Sequence, residues 1–132
     1  MVGGAHAATS PRFYAVMLLG FSAWLLPEPV PAPSLVFLVW VALSEEIVFR
    51  LLLQGGLQRL LQGAYLLTWL SLANVLTSII FAAMHLLHQP TLWALAVFFP
   101  SLVFGWAMDR YQSVLAPVLL HFFYNSLLFY RL

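Results

Sequence analysis

Apolar residues run along this chain in long blocks, and the breaks between blocks are short and chemically distinct. The first block covers residues 13–26, which as a helix span about 21 Å, short of the roughly 30 Å hydrocarbon core of a bilayer. A helix there borrows from the preceding residues or sits in locally thinned lipid. The competing reading is a signal peptide, since Arg12 precedes the apolar stretch, but "PEPVPAPS" lacks a good small-x-small cleavage site. Prolines at 27–33 forbid helix and predict an extended connector.

The second block, about 34–54, predicts a helix that continues past Gly55 and Gly56 as a kinked interfacial turn, "LQRLLQG". The third block, 64–87, predicts a helix that Pro90 stops. The fourth, 91–108, carries Pro100 as an expected kink, with "DRYQS" at 109–113 as the next turn. The fifth runs from 114 to 130, and Pro117 falls in its first turn, where proline is tolerated.

Composition decides the solvent. The chain of 132 residues is 64% hydrophobic and 7% charged. An ordinary soluble domain is about 45–50% apolar and about 25% charged. No soluble core hides that much apolar surface, so most of this chain is dissolved in lipid. The expectation is an all-α, polytopic transmembrane bundle of about five spans: a tail at 1–11, then one membrane domain at 12–132. Cysteine is absent, so there is no disulfide framework and no thiol chemistry. A net charge of +1 leaves no electrostatic footprint for nucleic acid. Five spans place Arg12, Arg59 and Arg110 on one side and Arg131 on the other, which favours the N-terminus inside and the C-terminus outside.

Nine charged residues remain, and three of them stand together in "LSEEIVFRLLL". An ionisable group at the bilayer centre costs about 2.5–3.5 kcal/mol on insertion scales, so each one is a candidate for function. The set is Glu45, Glu46 and Arg50 in the second segment, His85 late in the third, and His121 and Asn125 in the fifth. Glu46 and Arg50 are i, i+4 with the acid first, the better order for an ion pair. Glu45 is turned about 100° away from Glu46 and needs partners on other helices. His121 and Asn125 share one helix face, as do Phe81 and His85. The simplest arrangement points Glu45, His85, His121 and Asn125 into one cavity.

Glutamate with histidine can hold and deprotonate a water. Histidine with an asparagine amide can donate to a developing oxyanion. Together they suit water attack on an amide or ester carbonyl. No cofactor is required, although Glu45, His85 and His121 are also acceptable zinc ligands, so a metal stays open as an alternative. Counting along the segments leaves one discord: Glu45 lies about 16 Å below the outer face and His85 only about 5 Å. Asn74 reads as interhelical glue, and His88, beside Gln89 and Pro90, as interfacial.

Three motifs occur in order: "EEIVFR" fits E-E-x-x-x-R, "FAAMH" fits F-x-x-x-H, and "HFFYN" fits H-x-x-x-N. Over residues 45–125 the chain resembles the CPBP intramembrane endopeptidases, which include CAAX prenyl proteases and bacteriocin-processing or bacteriocin-immunity proteins. The resemblance implies a helical membrane protease in which Glu45 and His85 activate water, His121 and Asn125 form an oxyanion hole, and Glu46 and Arg50 support them. The family has been described both as metalloproteases and as metal-free glutamate enzymes. It implies a membrane-anchored protein or peptide as substrate, and a bacterial or archaeal cytoplasmic membrane as location. Many relatives hold more helices; small members are associated with processing C-terminal sorting tails of exported proteins.

Two other readings use the same residues. In a non-enzymatic immunity or binding protein they are interhelical fasteners. In a small proton or ion carrier they are relay sites.

Overall fold

The computed structural model describes residues 6–27 and 31–131. Residues 1–5 of the expected tail and 28–30 of the proline-rich connector lie outside the described residues. Helix α1, Pro11–Leu18, passes directly into a 3₁₀ stretch, Leu19–Leu25. Proline at N1 starts α1, where its missing N–H costs nothing. Residues 7–9, expected in the tail, form a 3₁₀ turn, and Tyr111 Oη donates to Ser10 Oγ at 2.8 Å.

The second segment is one continuous helix of three parts: α2 (Leu35–Glu46), a π-helical stretch (Ile47–Gln54), and α3 (Gly55–Leu60). The irregularity expected at Gly55–Gly56 therefore begins eight residues earlier, and Gly55 itself is helical. The π stretch has a geometric consequence. Leu38, Ala42, Glu46, Arg50 and Gln54 are all buried and recur at every fourth residue. In an α-helix each step of four advances the side chain by about 40° beyond a full turn. In a π-helix, at about 4.4 residues per turn, the same step falls short by about 33°. Switching at Glu46 reverses the drift and returns Arg50 and Gln54 to the buried face.

The third segment departs most from expectation. Its start is a small antiparallel hairpin, β1 (Tyr65–Leu67) with β2 (Leu70–Ser71), and α4 begins only at Leu72 and ends at His85. Ser71 explains the boundary: its Oγ accepts from Asn74 N at 3.0 Å as an N-cap. A short apolar run of aromatic and leucine residues fits strand and helix alike, so hydropathy alone could not separate them.

Helix α5 (Thr91–Ala96) breaks at Val97 before α6 (Phe98–Tyr111). The Pro100 ring clashes with the carbonyl four residues back, at Ala96, where α5 ends. Helix α6 runs through Asp109 to Tyr111, so the expected turn starts at Gln112, which is left-handed at φ 52°. Helix α7 is Leu115–Tyr130, with Pro117 in its first turn.

Helix α4 packs on α6, and α7 packs on both α2 and α6. The α4–α6 contact is close because Gly105 faces Asn74: a Cβ at Gly105 would stand 1.8 Å from Asn74 Oδ1. Ser101 and Gly105 form the small-x-x-x-small stripe that lets two membrane helices approach. An apolar cluster of Phe13, Phe104, Ala107, Tyr111, Ala116 and Leu120 joins α1 to α6 and α7. At the other end of the first segment, Arg131 Nη2 donates to Leu26 O at 2.6 Å, and Tyr124 and Tyr130 donate to Val16 O and Pro33 O.

The solvent logic is inverted. Val36, Trp40, Leu92 and Phe99 are 67–80% exposed, while Glu46, Arg50, Gln54, Asn74, Ser78 and Ser101 are fully buried. Polar groups inside and bulky apolar groups outside are what lipid selects. The run Thr91–Tyr111 is long and apolar enough to cross a membrane; α4 and α7 are apolar but shorter.

Candidate active site

The site is built where α2 gives way to the π stretch. Glu46 is buried, and each of its carboxylate oxygens takes a separate partner. Oε2 accepts from Arg50 Nε at 3.0 Å. Oε1 lies 2.7 Å from His121 Nδ1 on α7. Paired with an arginine, Glu46 is a pure acceptor, so the His121 proton on that side sits on Nδ1. The His121 ring stacks on Phe104, with centroids 4.8 Å apart and planes at 15°. Its orientation is thus held by a hydrogen bond at one edge and a ring on one face.

That leaves His121 Nε2, and it faces the other glutamate. Glu45 Oε2 is 3.8 Å away, beyond hydrogen-bond length. This oxygen is buried and has no hydrogen-bond partner among the described residues. A buried carboxylate oxygen without a donor is costly. Among the described residues the other buried orphan is Thr77 Oγ1. The Glu45 side chain as a whole is 30% exposed, so the group opens outward from a buried base.

His85 joins through Phe81. Its Nδ1 lies 2.8 Å from Phe81 O, and since a carbonyl only accepts, Nδ1 carries the proton and Nε2 of the neutral ring is left as an acceptor. The Phe81 ring contacts His85 at 4.5 Å, Phe49 at 4.9 Å and His121 at 6.2 Å between centroids. Arg50 Cζ lies 5.7 Å from the same ring. The ionisable groups near enough to act on Glu45 electrostatically are His121, His85, Glu46 and Arg50. Asn125 is half-buried one turn beyond His121 in α7, and its side chain makes no hydrogen bond to the described residues.

The structure therefore joins Glu46, Arg50 and His121 by hydrogen bonds, sets Glu45 3.8 Å from His121, and brings His85 to them across Phe81. Glu46 does more than the expected pairing with Arg50: both glutamates address one imidazole, on opposite nitrogens. The depth discord between Glu45 and His85 also has its reason. Because residues 65–71 are a hairpin, α4 starts level with the Gln54–Gln58 turn, where Ser71 and both glutamines meet Asp109. From that start α4 carries Phe81 to within 4.9 Å of Phe49 and 5.7 Å of Arg50 Cζ.

A second polar cluster was not anticipated. Asp109, expected in a turn, accepts from Gln54 Nε2 at 2.7 Å, Gln58 Nε2 at 2.9 Å and Ser71 Oγ at 2.6 Å. Arg50 donates to Gln54 Oε1 and to Ser101 Oγ, Ser101 to Ser78, and Ser78 to Asn74 Oδ1. Asn74 Nδ2 donates to Leu102 O, the interhelical bond expected of it. Gln54 was legible as the next member of the 46–50–54 series, and Asp109 as the only aspartate in the chain.

Among the described residues no three His, Asp or Glu side chains stand together as a metal-holding group. Glu46 on His121 Nδ1 and Phe81 O on His85 Nδ1 leave both Nε2 atoms open, as metal-bound imidazoles require, but His85 reaches the others only across a phenyl ring. The alternative zinc set Glu45, His85 and His121 is therefore not gathered into one ligand group among the described residues.

A family model described as "Type II CAAX prenyl endopeptidase Rce1-like" matches residues 27–127, which hold all three motifs and every side chain of the site. No curated protein and no solved structure matches the chain. The match covers most of the sequence, and the chain accordingly belongs to the Rce1-like family of CAAX-type endopeptidases, membrane proteases of the CPBP group.

Proposed function

We propose that this protein is an intramembrane endopeptidase that hydrolyses a peptide bond beside a membrane-anchored segment of its substrate, with Glu45 as general base. The observation that carries the reading is the orphaned, buried Glu45 Oε2, 3.8 Å from His121 Nε2. In this scheme a water placed between Glu45 and His85 gives a proton to Glu45 as its oxygen attacks the carbonyl carbon. The carbonyl oxygen becomes an oxyanion that accepts from a protonated His121 Nε2 and from the Asn125 amide. When the C–N bond breaks, the proton held on Glu45 passes to the leaving amine. Glu46 and Arg50 keep His121 in place.

Five spans, the N-terminus inside and the C-terminus outside remain our reading of the topology. The Thr91–Tyr111 run supports one span, and the continuous helix from Leu35 to Leu60 supplies the length for another. The family description suggests the first probe, a fluorogenic peptide ending in a farnesylated cysteine and three further residues. In detergent, Glu45→Gln should cut turnover by about 10³-fold without loss of the folded state. Turnover at the wild-type rate in that variant rejects Glu45 as the base. A binding or immunity role is the competing reading, supported by how fully Glu46, Arg50 and Ser101 are bonded across helices. Survival of function in a Glu45→Gln cell, with no cleavage by wild type, would favour it.

A further inference from the structure

The Asp109 end of the molecule takes no part in that scheme, yet it is joined to it by hydrogen bonds. Gln54 is fully buried between the two. Its amide orientation follows from chemistry, because Arg50 offers only donors and the Asp109 carboxylate only acceptors. Oε1 must therefore face Arg50 Nη1, at 3.2 Å. Nε2 must face Asp109 Oδ1 at 2.7 Å and Gly105 O at 3.0 Å. Reversing the amide would break all three contacts at once.

Arg50 in turn has every guanidinium nitrogen engaged: Nε on Glu46, Nη1 on Gln54, Nη2 on Ser101 Oγ at 2.6 Å. A guanidinium is planar and rigid, so these points define its plane and the direction in which Nε donates. Glu46 receives that bond on one oxygen and holds His121 Nδ1 with the other. Asp109, Gln54, Arg50, Glu46 and His121 thus form an unbroken run from the far end of α6 to the proposed oxyanion donor.

We propose that Gln54, seated on Asp109, is a positioning residue for the hydrolytic centre: it sets the plane of Arg50 and, through Glu46, the ring orientation of His121. The proposal rests on the reading of His121 given above. Gln54 touches neither substrate nor reacting atoms and acts only through its neighbours. Ser71 supplies the natural comparison, since it also donates to Asp109 but lies off the run.

The experiment uses the full chain in detergent and two readouts: kcat and KM on the farnesylated fluorogenic peptide, and the ¹⁵N spectrum of the histidine rings, with His121 assigned by its loss in His121→Asn. Gln54→Leu should lower kcat about tenfold, the size of effect seen when supporting bonds behind reactive groups are cut. Its KM should stay within twofold, and the hydrogen-bonded Nδ1 signal of His121 should shift or broaden. Ser71→Ala should lower the thermal midpoint yet leave kcat and the His121 signal alone. Wild-type kcat with an unchanged His121 spectrum in Gln54→Leu overturns the proposal. Equal losses in both variants, tracking the folded fraction, overturn it as well. Should Gln54→Leu fail to fold, Gln54→Glu keeps the acceptor for Arg50 but sets a second carboxylate against Asp109. Adding Asp109→Asn then restores a donor–acceptor pair and should recover kcat at least fivefold; no recovery refutes the idea. If wild type cleaves nothing, the hydrolase reading fails, while the His121 spectrum still decides whether Gln54 positions the ring.

Discussion

Glu45 and Asp109 are both carboxylates on helices that face lipid, and the fold treats them in opposite ways. Asp109 receives three donors, Gln54 and Gln58 from the second helix and Ser71 from the hairpin. Glu45 receives none among the described residues, and one of its oxygens is buried without a partner. Asp109 is half-buried, and a charge in such a place whose acceptor sites are filled fastens elements together. A carboxylate left short of donors is costly to the fold, and that cost is tolerated where the group must accept a proton from something else. On the proposed reading of Glu45 as general base, the contrast separates two uses of an expensive residue within one small bundle, and Glu46, Arg50 and Gln54 connect them.

The largest effect that sharpens this contrast is on turnover. Glu45→Gln should cost about 10³-fold in kcat, whereas Asp109→Asn should cost less than about tenfold and act mainly on stability. Comparable losses in the two variants, measured on the same peptide, would erase the distinction. Next is Arg50→Met, which leaves Glu46 buried without its arginine. Breaking a buried pair from one side costs about 3–5 kcal/mol, so the variant should lose much of its folded population in detergent, read as a lower thermal midpoint. Gly105→Ala comes third. Its Cβ would overlap the Asn74 amide, and overpacking of this kind costs about 1–3 kcal/mol; thermal denaturation should show it, and the α4–α6 seam should loosen. The smallest is Ser71→Ala, which removes an N-cap and one donor to Asp109. About 1 kcal/mol is expected, with turnover per folded molecule unchanged.

Several features follow from local chemistry and were readable residue by residue. Pro100 broke the fourth segment where its ring meets the carbonyl of Ala96, and Pro117 was tolerated in the first turn of α7. The i, i+4 spacing of Glu46 and Arg50 delivered their ion pair. Asn74 bonded across helices, since an amide in lipid has few other options. The hairpin at 65–71 was hidden, because "YLLTWLS" is apolar enough for either conformation and its strand pairing is a contact between segments. The π stretch was hidden for a related reason: nothing in "IVFRLLLQ" forbids an α-helix, and only neighbours that must be reached by Glu46, Arg50 and Gln54 together favour the wider turn.

By itself the sequence determined the solvent, the helical character and the few polar side chains worth explaining, because each follows from composition, proline sterics or spacing along one helix. Only the tertiary structure decided that both glutamates address the same imidazole, that Phe81 stands between the two histidines, and that Asp109 belongs to the bundle and not to a turn. Those facts depend on the level at which α4, α6 and α7 lie against the second helix. That level is set by bonds between distant parts of the chain, Ser71 to Asp109 and Arg50 to Ser101 among them, and no periodicity within a single segment encodes it.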